Sequence, residues 1–171
     1  GSRDGMAVPI YLPHSNEIAV SIEDNGIRGR FKPVIVRTAD NWRDGFVAAE
    51  DIRREEALTP DCAVHDTIYA GAPYLIRLGK NHTLLSIQST EGRKGHNERF
   101  ANMQVYVGDK NARNFCNRST PMPELKENAS ALWNSLHQID NETVIAVMSV
   151  GGQERGKGGI WTVKGKIVEM Q

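Results

Sequence analysis

The sequence predicts an all-β fold, about three blades of a β-propeller forming one partial propeller domain over residues 1–171. Three observations predict it. A strand–turn–strand module occurs three times. Strand signals with turn punctuation fill most of the remaining chain. No segment carries a long helical pattern.

The first module reads Val-Pro-Ile-Tyr-Leu at 8–12, a polar turn at 13–17, then Ile-Ala-Val-Ser-Ile-Glu at 18–23. The second has strands at 72–78 and 84–88 around a turn at 79–82. The third has strands at 134–139 and 144–148 around a turn at 140–142. Ser21, Ser86 and Ala146 align at offsets of 65 and 60 residues. A β unit recurring on that scale marks a repeat architecture such as a propeller.

Between the modules, strands are expected at 32–38, 46–49, 103–108, and 159–163 with 166–168. Asp24-Asn25-Gly26, Asp140-Asn141 and Lys164-Gly165-Lys166 supply turn chemistry. Residues 51–58 are short and highly charged, and read as a loop or single turn. Residues 121–131 read as a surface turn of helix. Residues 92–102 and 151–159 are rich in Gly and charge, and read as long mobile loops. A module of this size fits about three blades, whereas closed propellers have about 4–8. The expectation is a piece of a larger propeller lacking upstream blades, with open sheet edges and a tendency to self-associate.

Composition narrows the function classes. Lys and Arg number 21 and Asp and Glu number 21, which leaves no basic footprint for nucleic acid. No run approaches the ~20 apolar residues of a membrane helix, so no membrane partner is expected. Cys62 and Cys116 lie far apart, without metal-ligand spacing. Two free, partly buried thiols are the favoured reading, and one disulfide is the alternative. His14, His65, His82, His96 and His137 show no pairing suited to a metal, so no metal or cofactor is expected. Asn81, Asn117, Asn128 and Asn141 open Asn-x-Ser/Thr sequons.

The strongest chemical constellation is acidic. Glu23 follows the apolar strand of the first module, and Glu91 lies just beyond the matching strand of the second, 68 residues later. Adjacent blades set equivalent positions side by side, so both carboxylates are expected to converge on one pocket. Glycoside hydrolysis uses such a pair, one as acid and one as nucleophile or base. Arg3, Asp4, Arg30 and Lys32 lie near the first strand ends, Tyr69, Gln88 and Arg93 near the second, and Trp133 and Asn134 near the third. Cations there suit gripping carboxylates and sugar hydroxyls by charge-assisted hydrogen bonds.

Several of these segments resemble the sialidase-like β-propeller superfamily. They are Arg3-Asp4-Gly5-Met6, Tyr69-Ala70-Gly71-Ala72-Pro73-Tyr74-Leu75, the stretch from Leu85 to Arg93, and Trp133-Asn134-Ser135-Leu136. Arg37-Thr38-Ala39-Asp40-Asn41-Trp42 looks like a shortened Asp-box, the hairpin (BNR) repeat of sialidases. The nearest likeness is to sialidase-family proteins of unassigned specificity and to exo-arabinanases. The resemblance implies a six-bladed propeller with this chain as its C-terminal half. It implies an exo-acting, retaining glycoside hydrolase that uses Glu23 and Glu91 on the end of an oligosaccharide or polysaccharide. An extracellular or periplasmic location follows from such a substrate. Sialidases proper use a tyrosine nucleophile, for which Tyr69 is the candidate, but no clean arginine triad and no intact Asp-box accompany it. The alternative is a non-catalytic carbohydrate-binding or interaction propeller.

Overall fold

A computed structural model describes residues 3–25, 31–38, 54–65, 67–93, 98–154 and 157–168. It is all-β, with three antiparallel sheets and, among the described residues, no α-helix. The first sheet runs in the order β1 (Arg3–Leu12), β2 (Glu17–Asn25), β3 (Phe31–Arg37), β4 (Arg54–Glu56). The second repeats that meander with β5 (Ala70–Leu78), β6 (His82–Ser89), β7 (Asn102–Asp109) and β8 (Cys116–Ser119). The third has three strands, β9 (Ser130–Gln138), β10 (Thr143–Glu154) and β11 (Lys157–Lys166). None of the sheets closes on itself.

The turns explain why each module folds back. Asn16 and Gly79 adopt positive φ in the first two hairpins, a conformation that Gly and Asn tolerate best. In the third hairpin the Asp140 carboxylate accepts the backbone N–H of Glu142 and Thr143. Those bonds stabilise the ionised form and hold the Asp140 carboxyl below its usual range.

The sheets stack face to face in chain order. β5 lies against β1, β2 and β3, and β9 lies against β5, β6 and β7. Two apolar layers result. Leu12, Ala19, Ile35 and Leu58 meet Leu75, Leu85, Tyr106 and Phe115 between the first and second sheets. Leu78, Leu84 and Met103 meet Leu136, Ala146 and Met148 between the second and third. β6 is buried along nearly its whole length because it is covered on both faces. Its Leu84-Leu85-Ser86-Ile87 stretch accordingly lacks the strict alternation of a strand with one solvated face. Arg37 reinforces the first interface. Its guanidinium donates to the carbonyls of Asn111 and Ala112 in the β7–β8 turn and to the Glu55 carboxylate.

One irregularity recurs in all three sheets. The ladder slips between Gly5 and Val8 on β1, between Gly71 and Tyr74 on β5, and between Ser135 and Leu132 on β9 where they face Val147 and Ser149. Each slip is a β-bulge with a positive-φ residue that is not glycine: Met6, Ala72 and Trp133. Such a bulge re-aims side chains at a strand end. It also fixes the true repeat register. Ser21, Ser86 and Val147 are equivalent, each opposite the residue that follows the bulge. Alignment on Ala146 was therefore one residue out, and a one-residue slip exchanges the two faces of a strand.

Other expectations are corrected. Residues 54–56 of the charged segment form β4, and 116–119 form a strand that no sequence signal had marked. Residues 121–131 contain no helix. Leu125 and Ala129 are buried there under the second core. The described parts of 151–159 are strand, the ends of β10 and β11, not loop. Gly165 lies within β11 opposite Val144, so 164–166 is not a turn. Cys62 and Cys116 are bonded as a disulfide rather than free. They meet because the turn at Pro60–Cys62 runs along β8, next to the Leu58–Phe115 bridge. The strand expected at 46–49, Trp42 and His96 lie outside the described residues.

Candidate functional site

The chemistry expected at the strand ends begins with Glu23, on β2 opposite Gly5. Its side chain is buried and reaches across to the bulge of the second sheet. Glu23 Oε2 accepts the Ala72 backbone N–H at 2.6 Å and faces the Tyr69 hydroxyl at 3.4 Å. The bulge turns the Ala72 amide toward the neighbouring sheet, and Gly71 leaves the space for the carboxylate. A Cβ on Gly71 would sit 2.5 Å from Glu23 Oε2 and 2.6 Å from the Tyr69 hydroxyl.

The chain of contacts continues into the third sheet. The Asn134 amide donates to the Ala72 carbonyl at 3.2 Å, and the Ser86 hydroxyl donates to Asn134 Oδ1. A line of polar groups thus crosses all three sheets at the level of the bulges. Lys32, buried on β3, donates to the Val64 carbonyl and pairs in the ladder with buried Asp24.

Glu91 stands in a second cluster. It lies just past β6, with its backbone N–H bonded to the Ser89 hydroxyl. Its carboxylate forms an ion pair with Arg118 on β8 and lies 3.4 Å from the Gln104 amide. Gln104 in turn accepts the Tyr106 hydroxyl at 2.8 Å. Burial pushes the Tyr106 phenol up to about 12. Asp61, Cys62, Ala63, Glu91, Tyr106 and Arg118 line an open cavity of about 380 Å³. The Cys62–Cys116 disulfide holds the Asp61 and Arg118 sides of that cavity together.

Tyr69 connects the two clusters. Its hydroxyl faces Glu23, and its carbonyl accepts the N–H of Thr90, the residue before Glu91. Glu23 and Tyr69 are brought into contact, and Glu91 is tied to them through the backbone. By ladder register, however, Glu23 corresponds to Gln88 and Ser149, not to Glu91. The spacing of 68 residues exceeds the true repeat of 65 by three.

The other expected residues divide. Gln88 is buried on the face of β6 that meets the third sheet, and its amide nitrogen has no hydrogen-bond partner. Trp133 sits on the β9 bulge with 71% of its surface exposed. Arg93 donates to the carbonyls of Phe100, Leu125, Lys126 and Ala129, which fastens the segment at 125–129. Arg3 and Asp4 pair with Asn25 and Asp24 along β1. Arg30 lies outside the described residues. Sequence reasoning missed Arg118, Gln104, Tyr106 and Asp61. Only the cysteine pair could have flagged two of them, since Asp61 adjoins Cys62 and Arg118 lies two residues past Cys116.

Among the described residues, no group of three or more His, Cys, Asp or Glu side chains is placed to hold a metal ion. No protein-family model matches the sequence, and no curated protein matches it.

Proposed function

We propose that the three sheets are consecutive blades of a six-bladed sialidase-like propeller, and that the protein is an exo-acting, retaining glycoside hydrolase. Glu23 and Glu91 are its carboxylate pair. One protonates the glycosidic oxygen while the other attacks the anomeric carbon, and water then releases the sugar from the enzyme. The observation that carries this reading is Tyr69. It touches Glu23 through its hydroxyl and Thr90 through its carbonyl, so it holds both acidic strand ends of adjacent sheets in one structure. Trp133 supports it as well, because an exposed indole on a rigid bulge is a stacking platform for the apolar face of a sugar ring. The disulfide supports a location in an oxidising, extracellular or periplasmic setting.

The test is release of monosaccharide from arabinan and sialoglycan substrates by the full-length protein. Glu23→Gln and Glu91→Gln should each lower kcat/KM by ~10³-fold or more with unchanged circular dichroism. Gln at position 23 can still accept the Ala72 N–H, so the fold survives the exchange. Full activity in both variants refutes the assignment.

One observation favours a second reading, a propeller that binds sugar without cleaving it. Glu23 is engaged by a backbone N–H and Glu91 by Arg118. That reading gives saturable oligosaccharide binding by calorimetry, weakened by Trp133→Ala, with no turnover.

A further inference from the structure

Among the described residues the third sheet has three strands where the first two have four, and a groove marks the place where a fourth would lie. β11 is the outer strand of that sheet, paired with β10 on one side. The groove, of about 280 Å³, runs between the second and third sheets beside β11. Its walls include Leu84, Val107, Leu136, Val144, Val163 and Gly165.

Each wall residue has a counterpart between the first and second sheets. The ladder triple Leu75–Leu85–Tyr106 corresponds to Leu136–Ala146–Val163. The pair Thr83–Gly108 corresponds to Val144–Gly165, and Ala19–Arg37 corresponds to Leu84–Val107. In the filled interface, the counterpart of the groove is occupied by Phe115, the residue just before β8. Phe115 is fully buried, bridges to Leu58, and packs so closely on Gly108 that a Cβ there would lie 2.6 Å from its ring. Leu58 lies two residues past β4, as Pro121, another groove-lining residue, lies two past β8. Over Gly165 the space is open. A Cβ there would meet Val144 Cγ1 at 3.6 Å and nothing nearer.

We infer that the free edge of β11 and this groove form a seat for an added β-strand. The occupant is an extended peptide strand that pairs antiparallel to β11, as β8 pairs with β7, and that lays an aromatic side chain over Gly165 as Phe115 lies over Gly108. Main-chain hydrogen bonds to an open edge supply the affinity, and the side-chain pocket supplies the selectivity. Exposed Trp161, on the same face of β11 as Val163 and Gly165, extends the apolar surface beside the groove.

The test uses the 171-residue chain and a synthetic peptide, Asn-Phe-Ser-Asn-Arg-Ser-Thr, which copies the stretch from Asn114 to Thr120 with Ser replacing the cysteine. A second peptide carries Ala in place of Phe. Saturating Phe peptide should slow amide hydrogen exchange along β11 at least tenfold, and the Ala peptide should bind at least tenfold more weakly. The contrast lies in the peptide, so no variant has to fold. Unchanged exchange on β11 overturns the inference, as does equal binding of the two peptides. Protection of β11 that rises with protein concentration in the absence of peptide also overturns it, because a second copy is then the occupant.

Discussion

Gly71→Ala tests how the first two sheets are joined. The added Cβ would lie 2.5 Å from Glu23 Oε2, 2.6 Å from Glu23 Cδ and 2.6 Å from the Tyr69 hydroxyl. A flexible side chain could retreat at little cost on a surface. Here Glu23 is 6% exposed and fixed by the Ala72 N–H at 2.6 Å, so it yields only by losing that bond. Overpacking costs about 1–3 kcal/mol. A hydrogen bond to a charged group contributes about 1.5–3 kcal/mol. The two are alternative ways of relieving one clash, so about 2–3 kcal/mol is expected, a fall in Tm of roughly 4–12 °C for a domain of this size. Gly5 provides the internal control. It holds the same place before the β1 bulge, yet a Cβ there meets nothing within 4 Å. The assay is urea denaturation of wild type, Gly71→Ala and Gly5→Ala, followed by tryptophan fluorescence. If Gly71→Ala falls within about 0.5 kcal/mol of wild type, or if Gly5→Ala costs as much, Glu23 is not a fixed link between the sheets.

Reducing the Cys62–Cys116 disulfide, which spans 54 residues, should lower stability by about 4 kcal/mol in the chain-entropy model. Denaturation with and without reductant measures this, and a Cys62→Ser/Cys116→Ser variant should be insensitive to reductant. Tyr106 predicts an alkaline weakness. Its folded value of about 12 lies above the ordinary phenol value of about 10. The unfolded chain therefore loses the proton first. The contribution is intact below about pH 10 and is lost as pH rises toward 12, by roughly 2–3 kcal/mol. Stability of wild type minus that of Tyr106→Phe, measured from pH 8 to 12, should fall over that window. A flat difference refutes it.

Much of the scaffold was legible in the residues. The apolar runs at 18–22, 84–87 and 144–148 are strands that place Ala19, Leu84, Leu85, Ile87, Val144, Ala146 and Met148 in the cores between packed sheets, and the polar turns between them break the chain where the hairpins fold back. Short-range pattern suffices for such elements. It failed at the short strands β4 and β8, which take their geometry from pairing at a sheet edge and from the partners of Glu55, Arg118 and Cys116, and at 121–131, whose helix-forming composition was overridden by burial of Leu125 and Ala129.

The candidate site shows where sequence stops. Glu23, Tyr69 and Glu91 could be chosen from strand-end position. That Glu23 meets a backbone amide, that Glu91 pairs with Arg118, and that Cys62 reaches Cys116 depend on contacts between residues 27 to 54 positions apart. The repeat was written in the sequence as apolar period and turn chemistry. Its register was not, because a bulge adds a residue to one strand without leaving a compositional mark. Tertiary structure alone decided that Glu23 matches Gln88, that the three bulges line up across the sheets, and that β11 is the outermost strand of the third sheet among the described residues. Each follows from how whole sheets pack, and packing acts on faces that one-dimensional spacing does not distinguish.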